Sequence, residues 1–296
     1  MDTVIPTPGT LAGDPSIVAR AEDQRRDYFE KVRNNLRSEL QMLVRLGLLE
    51  DAQADIALAR LTLQSRTQAA ATLGECELLF EAVPEVIELK QATFAWVSQQ
   101  VPATTIIAST TSTFLVTELA GMVDAPQRFV NAHWLNPAYL MPLVEVSRSE
   151  TTCAQVVQRL LQLLKRIGKV PVVCNPVAGY IVPRIQALAM NEAARMVEEG
   201  VASAEDIDTA VRVGFGLRFS VLGLLEFIDW GGGDILYYAS RYLSRELDPR
   251  FESPQVIADN MQGGRNGLRD GQGFYDYRER DVEAYKQQRL GEFVRK

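Results

Sequence analysis

Histidine is almost absent from this chain, which has a single one, His133, among its 296 residues. Histidine is the side chain that exchanges a proton most readily near neutral pH. A histidine acting as general base can therefore stand at this one position only. A lone histidine in an apolar segment is also often an ordinary hydrogen-bonded core residue, so the surrounding sequence decides between the two interpretations.

Cysteine is scarce and follows no metal-binding or disulfide pattern. Cys76, Cys153 and Cys174 are odd in number and have no Cys-x-x-Cys spacing. This argues against a disulfide framework and against a zinc site. We therefore expect reduced thiols and a cytoplasmic protein.

Long apolar runs and an excess of positive charge are also missing. No apolar run approaches the roughly 18 residues of a membrane span, and the N-terminus lacks a basic segment followed by an apolar one. The sequence therefore predicts a chain that is neither secreted nor embedded in a membrane. The formal net charge of −7 argues against a nucleic-acid partner, which requires a basic face.

The hydrophobic pattern predicts an α/β domain followed by a helical one. Apolar residues at three- and four-residue steps predict a helix from Ala21 to Leu46. Short apolar strands then alternate with helical patterns as far as Val170 to Cys174, which is typical of a mainly parallel, doubly wound sheet. Beyond Asn175-Pro176 the pattern is helical. We therefore predict two domains, residues 1–178 and residues 179–296.

His133 lies in one of two short predicted strands, residues 127–133 and 143–147, and Glu145 lies in the other. If the strands are neighbours, the carboxylate can reach the imidazole. Such a carboxylate fixes the imidazole tautomer and stabilises the imidazolium that forms when the other nitrogen takes a proton.

Several blocks, in order, resemble the L-3-hydroxyacyl-CoA dehydrogenase family. The first runs from His133-Trp134-Leu135-Asn136-Pro137 to Leu143-Val144-Glu145-Val146. The others are Glu81-Ala82-Val83-Pro84-Glu85 with Lys90, Ala108-Ser109-Thr110-Thr111-Ser112, Gly179-Tyr180-Ile181-Val182 and Gly271-Gln272-Gly273-Phe274-Tyr275. Ordered blocks are hard to obtain by chance, so the resemblance favours a catalytic His133.

The resemblance implies an NAD(P)-dependent oxidoreductase of fatty acid metabolism with a Rossmann-like N-terminal domain. Its substrate would be a 3-hydroxyacyl-CoA or a small 3-hydroxy acid. His133 would accept the hydroxyl proton, Glu145 would orient His133, and Ser112 would bond the substrate oxygen. A helix-capping role is the alternative for Ser112.

The resemblance also assigns residues to the nicotinamide half of the cofactor. Glu85, Lys90 and Asn136 match family positions that contact it. Their structural alternatives are an acid that favours a helix N-terminus, a charge on a helix surface and a turn residue before proline, respectively.

Family members form dimers through the helical domain, and the resemblance implies a homodimer. The stretch from Phe215 to Ile228 is strongly apolar, which predicts that part of it meets a partner chain. The alternative is that residues 181–197 cover it within one chain.

The N-terminus departs from the family. Of the glycine-rich turn that receives the pyrophosphate only Gly9 and Gly13 remain, so the first βα unit is predicted to be truncated and cofactor binding weak. Residues 15–20 resemble the end of the family's second strand. Arg20 then lies beside the ribose position, where arginine favours NADP over NAD; a solvent-facing arginine is the alternative.

A second departure is Pro183, which stands where the family has an asparagine that supports the catalytic arrangement. Proline suits a first helical turn but cannot donate that hydrogen bond. Two functions therefore stay open: a dehydrogenase, favoured by His133, Glu145 and Ser112, and a catalytically silent binding or scaffold protein on the same fold.

Overall fold

The computed structural model of the protein describes residues 15–296, with side chains from residue 25 onward. The segment with Gly9 and Gly13 lies outside the described residues, and so does the side chain of Arg20. The described chain divides into two compact units between Ile185 and Gln186. The predicted domain boundary at residue 178 stays a prediction.

The first unit contains a five-stranded sheet among its described residues, in the order β1-β2-β3-β4-β5. Strands β3 and β4 pair antiparallel and the other neighbours pair parallel. The mainly parallel sheet predicted from the sequence is confirmed. The strands are β1 (Leu78–Glu81), β2 (Ile106–Ser109), β3 (Phe129–Trp134), β4 (Leu143–Ser147) and β5 (Val170–Cys174).

Helices precede, separate and follow these strands. They are α1 (Pro15–Arg45), α2 (Asp51–Ala59), α3 (Arg66–Thr72), α4 (Ile87–Gln100), α5 (Val116–Ala120), α6 (Ala154–Arg166) and α7 (Val182–Glu198). Helix α7 begins in the first unit and continues into the second.

Both faces of the sheet are covered, because successive strand residues point to opposite sides. Ile107 packs with Phe94 of α4 and Leu119 of α5 on one face. Its neighbour Ala108 packs with Leu160 of α6 on the other. The doubly wound arrangement is confirmed, and side chains of the sheet are held between two layers of helices.

The expected strand end at residues 15–20 is wrong, because α1 begins at Pro15 and runs unbroken to Arg45. Alanine, arginine, glutamate and glutamine dominate residues 19–26, and these are strong helix formers. Proline suits the first helical turn at which α1 begins. The strand register that placed Arg20 beside a ribose is therefore not formed.

The second unit consists of helices joined by loops, with no β-strand among its described residues. After α7 it contains α8 (Ala204–Ala210), α9 (Leu217–Phe219), α10 (Leu224–Gly231), α11 (Gly233–Glu246), α12 (Gln255–Gln262) and α13 (Val282–Arg295). A π-helical turn, Val211–Gly216, precedes α9. The predicted all-α C-terminal domain is confirmed.

Candidate active site

His133 and Glu145 form a buried pair at the centre of the sheet. The antiparallel register of β3 and β4 sets them directly opposite each other, so their side chains share one face. The distance from His133 Nδ1 to Glu145 Oε2 is 2.8 Å. The histidine is 5% exposed and the glutamate is fully buried. This hydrogen bond leaves Nε2 as the imidazole nitrogen that can take a proton.

The second carboxylate oxygen of Glu145 is held by the start of α7. Its Oε1 accepts hydrogen bonds from the backbone N–H groups of Ile181 and Val182, each at 2.9 Å. Free N–H groups and the helix dipole make a helix N-terminus favourable for a negative charge. Both oxygens are thus engaged, one by the helix and one by the imidazole, and the carboxylate keeps one orientation.

Pro183 follows these two donors as the second residue of α7. A first-turn residue has no intrahelical acceptor for its N–H, so proline fits here without disturbing the helix. The structural interpretation of Pro183 is confirmed. The backbone N–H groups of Ile181 and Val182 anchor Glu145, and this anchor needs no side chain at position 183.

Tyr180 covers a face of the His133 ring. The two ring centroids are 4.9 Å apart and the planes are tilted by 11°. The Tyr180 hydroxyl accepts from Asn131 Nδ2 at 3.1 Å and donates to the Thr111 carbonyl oxygen at 2.9 Å. Burial, above all, raises the pKa of Tyr180 to about 12. The phenol therefore stays neutral near neutral pH.

A buried ion pair ties the end of β1 to α4. Lys90 Nζ lies 3.0 Å from Glu81 Oε1, and both side chains are almost fully buried. Ser109, at the end of β2, donates to Glu81 Oε2 at 2.6 Å, and the Val83 N–H donates to Oε1 at 2.7 Å. The surface-charge alternative for Lys90 is therefore wrong. Its ammonium group lies within the protein and joins neighbouring segments.

Glu85 holds the loop that contains Ser112. Its carboxylate accepts from the Thr111 hydroxyl at 2.8 Å and from the Ser112 N–H at 3.0 Å. The Glu85 side chain is 39% exposed and lies 3.8 Å from Lys90 Nζ. Ser112 is itself exposed. Within the described chain no hydrogen bond engages its hydroxyl, which leaves the hydroxyl free to meet a ligand.

The remaining predicted residues are not joined to this network. Asn136 is exposed and precedes Pro137 through a cis peptide bond. No hydrogen bond links Ser112 directly to His133 among the described residues. The structure thus brings His133 together with Glu145, and Glu85 together with Lys90 and the Ser112 loop.

Cys174, on β5, lies in the electrostatic surroundings of the pair. Burial raises the pKa of its thiol, and the charge of Glu145 raises that pKa further. The three cysteines are unpaired.

Among the described residues no cluster of histidine, cysteine and acidic side chains is suited to a metal ion. No helix in the described part of the chain is long and apolar enough to cross a membrane.

Reasoning from the sequence missed the supporting groups. Glu81, Ser109 and Tyr180 were present in the family-like blocks, but their roles depend on contacts between distant segments. Asn131 carried one local signal, because it lies two residues before His133 on the same strand face. The backbone N–H groups that hold Glu145 leave no mark on the sequence beyond the start of a helix.

Family models match nearly the whole described chain. A model described as "3-hydroxyacyl-CoA dehydrogenase, NAD binding domain" matches residues 16–177. One described as "3-hydroxyacyl-CoA dehydrogenase, C-terminal domain" matches residues 179–277.

Individual relatives agree with the family models. The mitochondrial hydroxyacyl-coenzyme A dehydrogenase of Sus scrofa is 30% identical over 86% of this chain and 82% of its own. The 5-formyl-3-hydroxy-2-methylpyridine 4-carboxylate 5-dehydrogenase of Mesorhizobium japonicum is 31% identical over 74% and 71%. A crystal structure of a 3-hydroxyacyl-CoA dehydrogenase from Archaeoglobus fulgidus superposes with a TM-score of 0.65 at 32% identity, covering 76% of this chain and 78% of that one.

Two matched domains in the expected order, relatives at this identity and a shared fold confirm the resemblance seen in the sequence. The chain belongs to the 3-hydroxyacyl-CoA dehydrogenase family of NAD-dependent oxidoreductases.

Proposed function

We propose that this protein oxidises the secondary alcohol of an L-3-hydroxyacyl-CoA with NAD, using His133 as general base. The observation that carries the proposal is the buried pair of His133 and Glu145, joined at 2.8 Å. A family member that had lost catalysis would have no need to bury a charged carboxylate against its single histidine. The intact pair therefore favours an enzyme over a silent binding protein.

His133 moves the proton. Its Nδ1 is engaged by Glu145, so Nε2 accepts the proton of the substrate hydroxyl. The Glu145 carboxylate fixes the tautomer and stabilises the imidazolium that results. In the reverse direction His133 returns the proton to the carbonyl oxygen, and Glu145 again orients the ring.

Ser112 bonds the substrate oxygen in this proposal. Its hydroxyl has no hydrogen-bond partner in the part of the chain that the structure describes, and its backbone N–H is held by Glu85. A donor held by a fixed loop is already oriented when substrate arrives, which lowers the cost of alignment. Glu85 thus has two tasks, namely fixing this loop and presenting its exposed carboxylate edge to the cofactor.

The residues present fit the nicotinamide half of NAD. The network of Glu81, Glu85 and Ser109 lies where the parallel strands β1 and β2 end, and ligands of open α/β sheets bind outside these carboxyl ends. When bound, NAD supplies the acceptor for the hydride that leaves the carbinol carbon. We assign Glu85 and Asn136 to cofactor contact by their exposure. The buried Lys90 supports Glu85 from within.

We further propose a cytoplasmic homodimer. The three unpaired cysteines support a reducing compartment. Several apolar side chains between residues 213 and 225 are at least 37% exposed, which supports a partner surface. They are Val213, Phe215, Leu217, Leu224 and Leu225. The alternative that residues 181–197 cover this stretch is not supported by that exposure.

The test is a spectrophotometric assay of nicotinamide reduction by the purified chain. The substrates are L-3-hydroxybutyryl-CoA, its D-enantiomer and free L-3-hydroxybutyrate, each with NAD⁺ and with NADP⁺. We expect turnover of the L-CoA ester with NAD⁺. Turnover of the free acid alone would show that the substrate is a small hydroxy acid and not a CoA ester. No turnover, with no NADH binding by calorimetric titration, would favour the silent paralogue.

A further inference from the structure

We propose that Tyr180 is a positioning residue for His133, holding the imidazole plane by stacking and stabilising its protonated form. This rests on the proposed function insofar as the protonated form matters for catalysis. The starting observation is the near-parallel stack of the two rings, with centroids 4.9 Å apart. Tyr180 is 9% exposed, so water is largely excluded from that face of the imidazole.

The stack supplies a restraint that Glu145 cannot. One hydrogen bond at Nδ1 fixes a point on the imidazole edge but leaves the ring able to tip about that point. An aromatic ring lying flat against the face removes that freedom. Together the two contacts fix the direction of Nε2, the nitrogen that must point at the substrate hydroxyl.

Tyr180 is itself fixed from two sides. Its hydroxyl bonds Asn131, on the strand of His133, and the carbonyl of Thr111, next to Ser112. The phenol therefore links the proposed base to the loop of the proposed substrate donor. A phenylalanine at this position would stack in the same way but would lose that link.

The backbone at Tyr180 is strained in a way that suits this role. Its φ is +46°, after Gly179 at +78°, and a non-glycine residue rarely occupies this region. The same turn carries the chain to Ile181 and Val182, whose N–H groups hold Glu145. One strained turn thus positions both partners of His133, and strain of this kind concentrates at functional sites.

The electrostatics give the direction of the effect. The face of a phenol ring attracts a cation placed over it, so the stack favours imidazolium over neutral imidazole. Among the described residues, the titratable groups whose charge acts on Tyr180 are Glu145 on β4, Cys174 on β5 and Glu85 after β1. The Cys174 thiol has a raised pKa and stays neutral. The ring of Tyr180 and the charge of Glu145 therefore act in the same direction.

The test uses the fact that the chain has one histidine. In protein without a polyhistidine tag and labelled at histidine, the Cε1–H resonance reports His133 alone. We compare wild type with Tyr180→Phe, which keeps the stack, and Tyr180→Leu, which removes it. Tyr180→Leu should move the titration midpoint toward acid by about 0.5 pH unit. Tyr180→Phe should stay close to wild type.

Kinetics provide the second readout. Tyr180→Leu should lower kcat about tenfold with little change in the KM of the acyl-CoA, as loss of alignment in the reacting state predicts. Tyr180→Phe should lose about threefold or less, the share of the hydroxyl link. An active Tyr180→Leu variant with wild-type kcat and midpoint would overturn the proposal. So would identical losses in the two variants.

Wild type alone provides a check if Tyr180→Leu does not fold. A ring stacked on the imidazole shifts the His133 Cε1–H resonance upfield of free histidine, and absence of that shift would overturn the proposal. The NMR readout needs no activity. A shifted midpoint in a chain without dehydrogenase activity would support the stack and contradict the proposed function, so the two failures are distinguishable.

Discussion

At the scale of single residues, Glu145 is the group on which the site depends most. It is fully buried, and its carboxylate is held by two N–H groups of a helix N-terminus and by the imidazole of His133. A buried charge is tolerated only when its hydrogen-bonding capacity is met. Here the N–H groups that satisfy the carboxylate also orient it toward His133, so stability and catalysis depend on the same contacts.

Replacement of Glu145 by glutamine tests how much the charge of this residue contributes to catalysis. Glu145→Gln retains the size of the side chain but removes the charge that stabilises the imidazolium. We expect kcat to fall about 10²-fold or more. Steady-state kinetics at saturating NAD⁺ provide the measurement, with the exposed Glu150→Gln as control. Near-equal kcat in the two variants would show that the charge at position 145 is not used.

Lys90 shows how burial changes the meaning of a charged residue. Lys90→Met leaves the buried Glu81 carboxylate without its cation, which should reduce the free energy of unfolding by about 3–5 kcal/mol. Lys165→Met, at an exposed helix position, should change it by about 0.5 kcal/mol or less. Urea denaturation of both variants makes the comparison. A Lys90→Met protein as stable as wild type, but with a raised KM for NAD⁺, would instead assign Lys90 to the cofactor.

At the scale of elements, the second unit is held by a carboxylate clamp at the end of α10. Asp229 is 3% exposed and accepts from the N–H groups of Phe274 and Tyr275, each at 2.9 Å, and from the hydroxyl of Tyr277. The Gly271 to Tyr275 block recognised in the sequence is the loop that wraps this carboxylate. Its role in this unit is structural.

The clamp leaves no room for a side chain at Gly273. A Cβ there would lie 2.1 Å from Asp229 Oδ1, so Gly273→Ala should lower stability by about 1–3 kcal/mol. Gly231→Ala is the matched control, because a Cβ at that helical position meets nothing within 4 Å. It should be neutral or slightly stabilising. Thermal melts of both variants provide the measurement. Equal melting temperatures would contradict the proposed packing of Gly273 against Asp229.

Element positions were predictable where the signal is local. The strand Val170–Cys174 was predicted with the bounds that it has, because a short apolar run is visible in consecutive residues. The predicted start of α1 at Ala21 was wrong, because residues 15–20 were assigned to a strand by their resemblance to the family, although local propensity favours a helix. The π-helical turn at Val211–Gly216 was not predicted from the sequence.

The sequence predicted the pair of His133 and Glu145 but not the groups that hold this pair in place. His133 and Glu145 lie on adjacent strands whose alternation can be read from the sequence. The bonds from Ile181 and Val182 to Glu145 span 36 and 37 residues, and the stack of Tyr180 on His133 depends on one turn with positive φ. Such contacts are set by packing of the whole unit, so no local pattern reveals them.

At the scale of the whole molecule, the exposed apolar stretch of the second unit predicts self-association. Light scattering at micromolar concentration should give about twice the 32.9 kDa chain mass. Leu224→Glu places a charge in a surface that a two-fold interface would bury on both chains, so it should return the monomer. Val294→Glu, at an 88% exposed site on α13, should leave the dimer intact. A monomer mass for wild type across the dilution series would contradict the homodimer.

The measurement that tests the central claim most directly is turnover of L-3-hydroxyacyl-CoA by His133→Ala at saturating NAD⁺. The chain has no second histidine to replace the base. The account predicts a folded protein, by circular dichroism, whose kcat is lower than that of wild type by about 10² or more. Turnover close to wild type in a folded His133→Ala protein would contradict it and remove His133 from the mechanism.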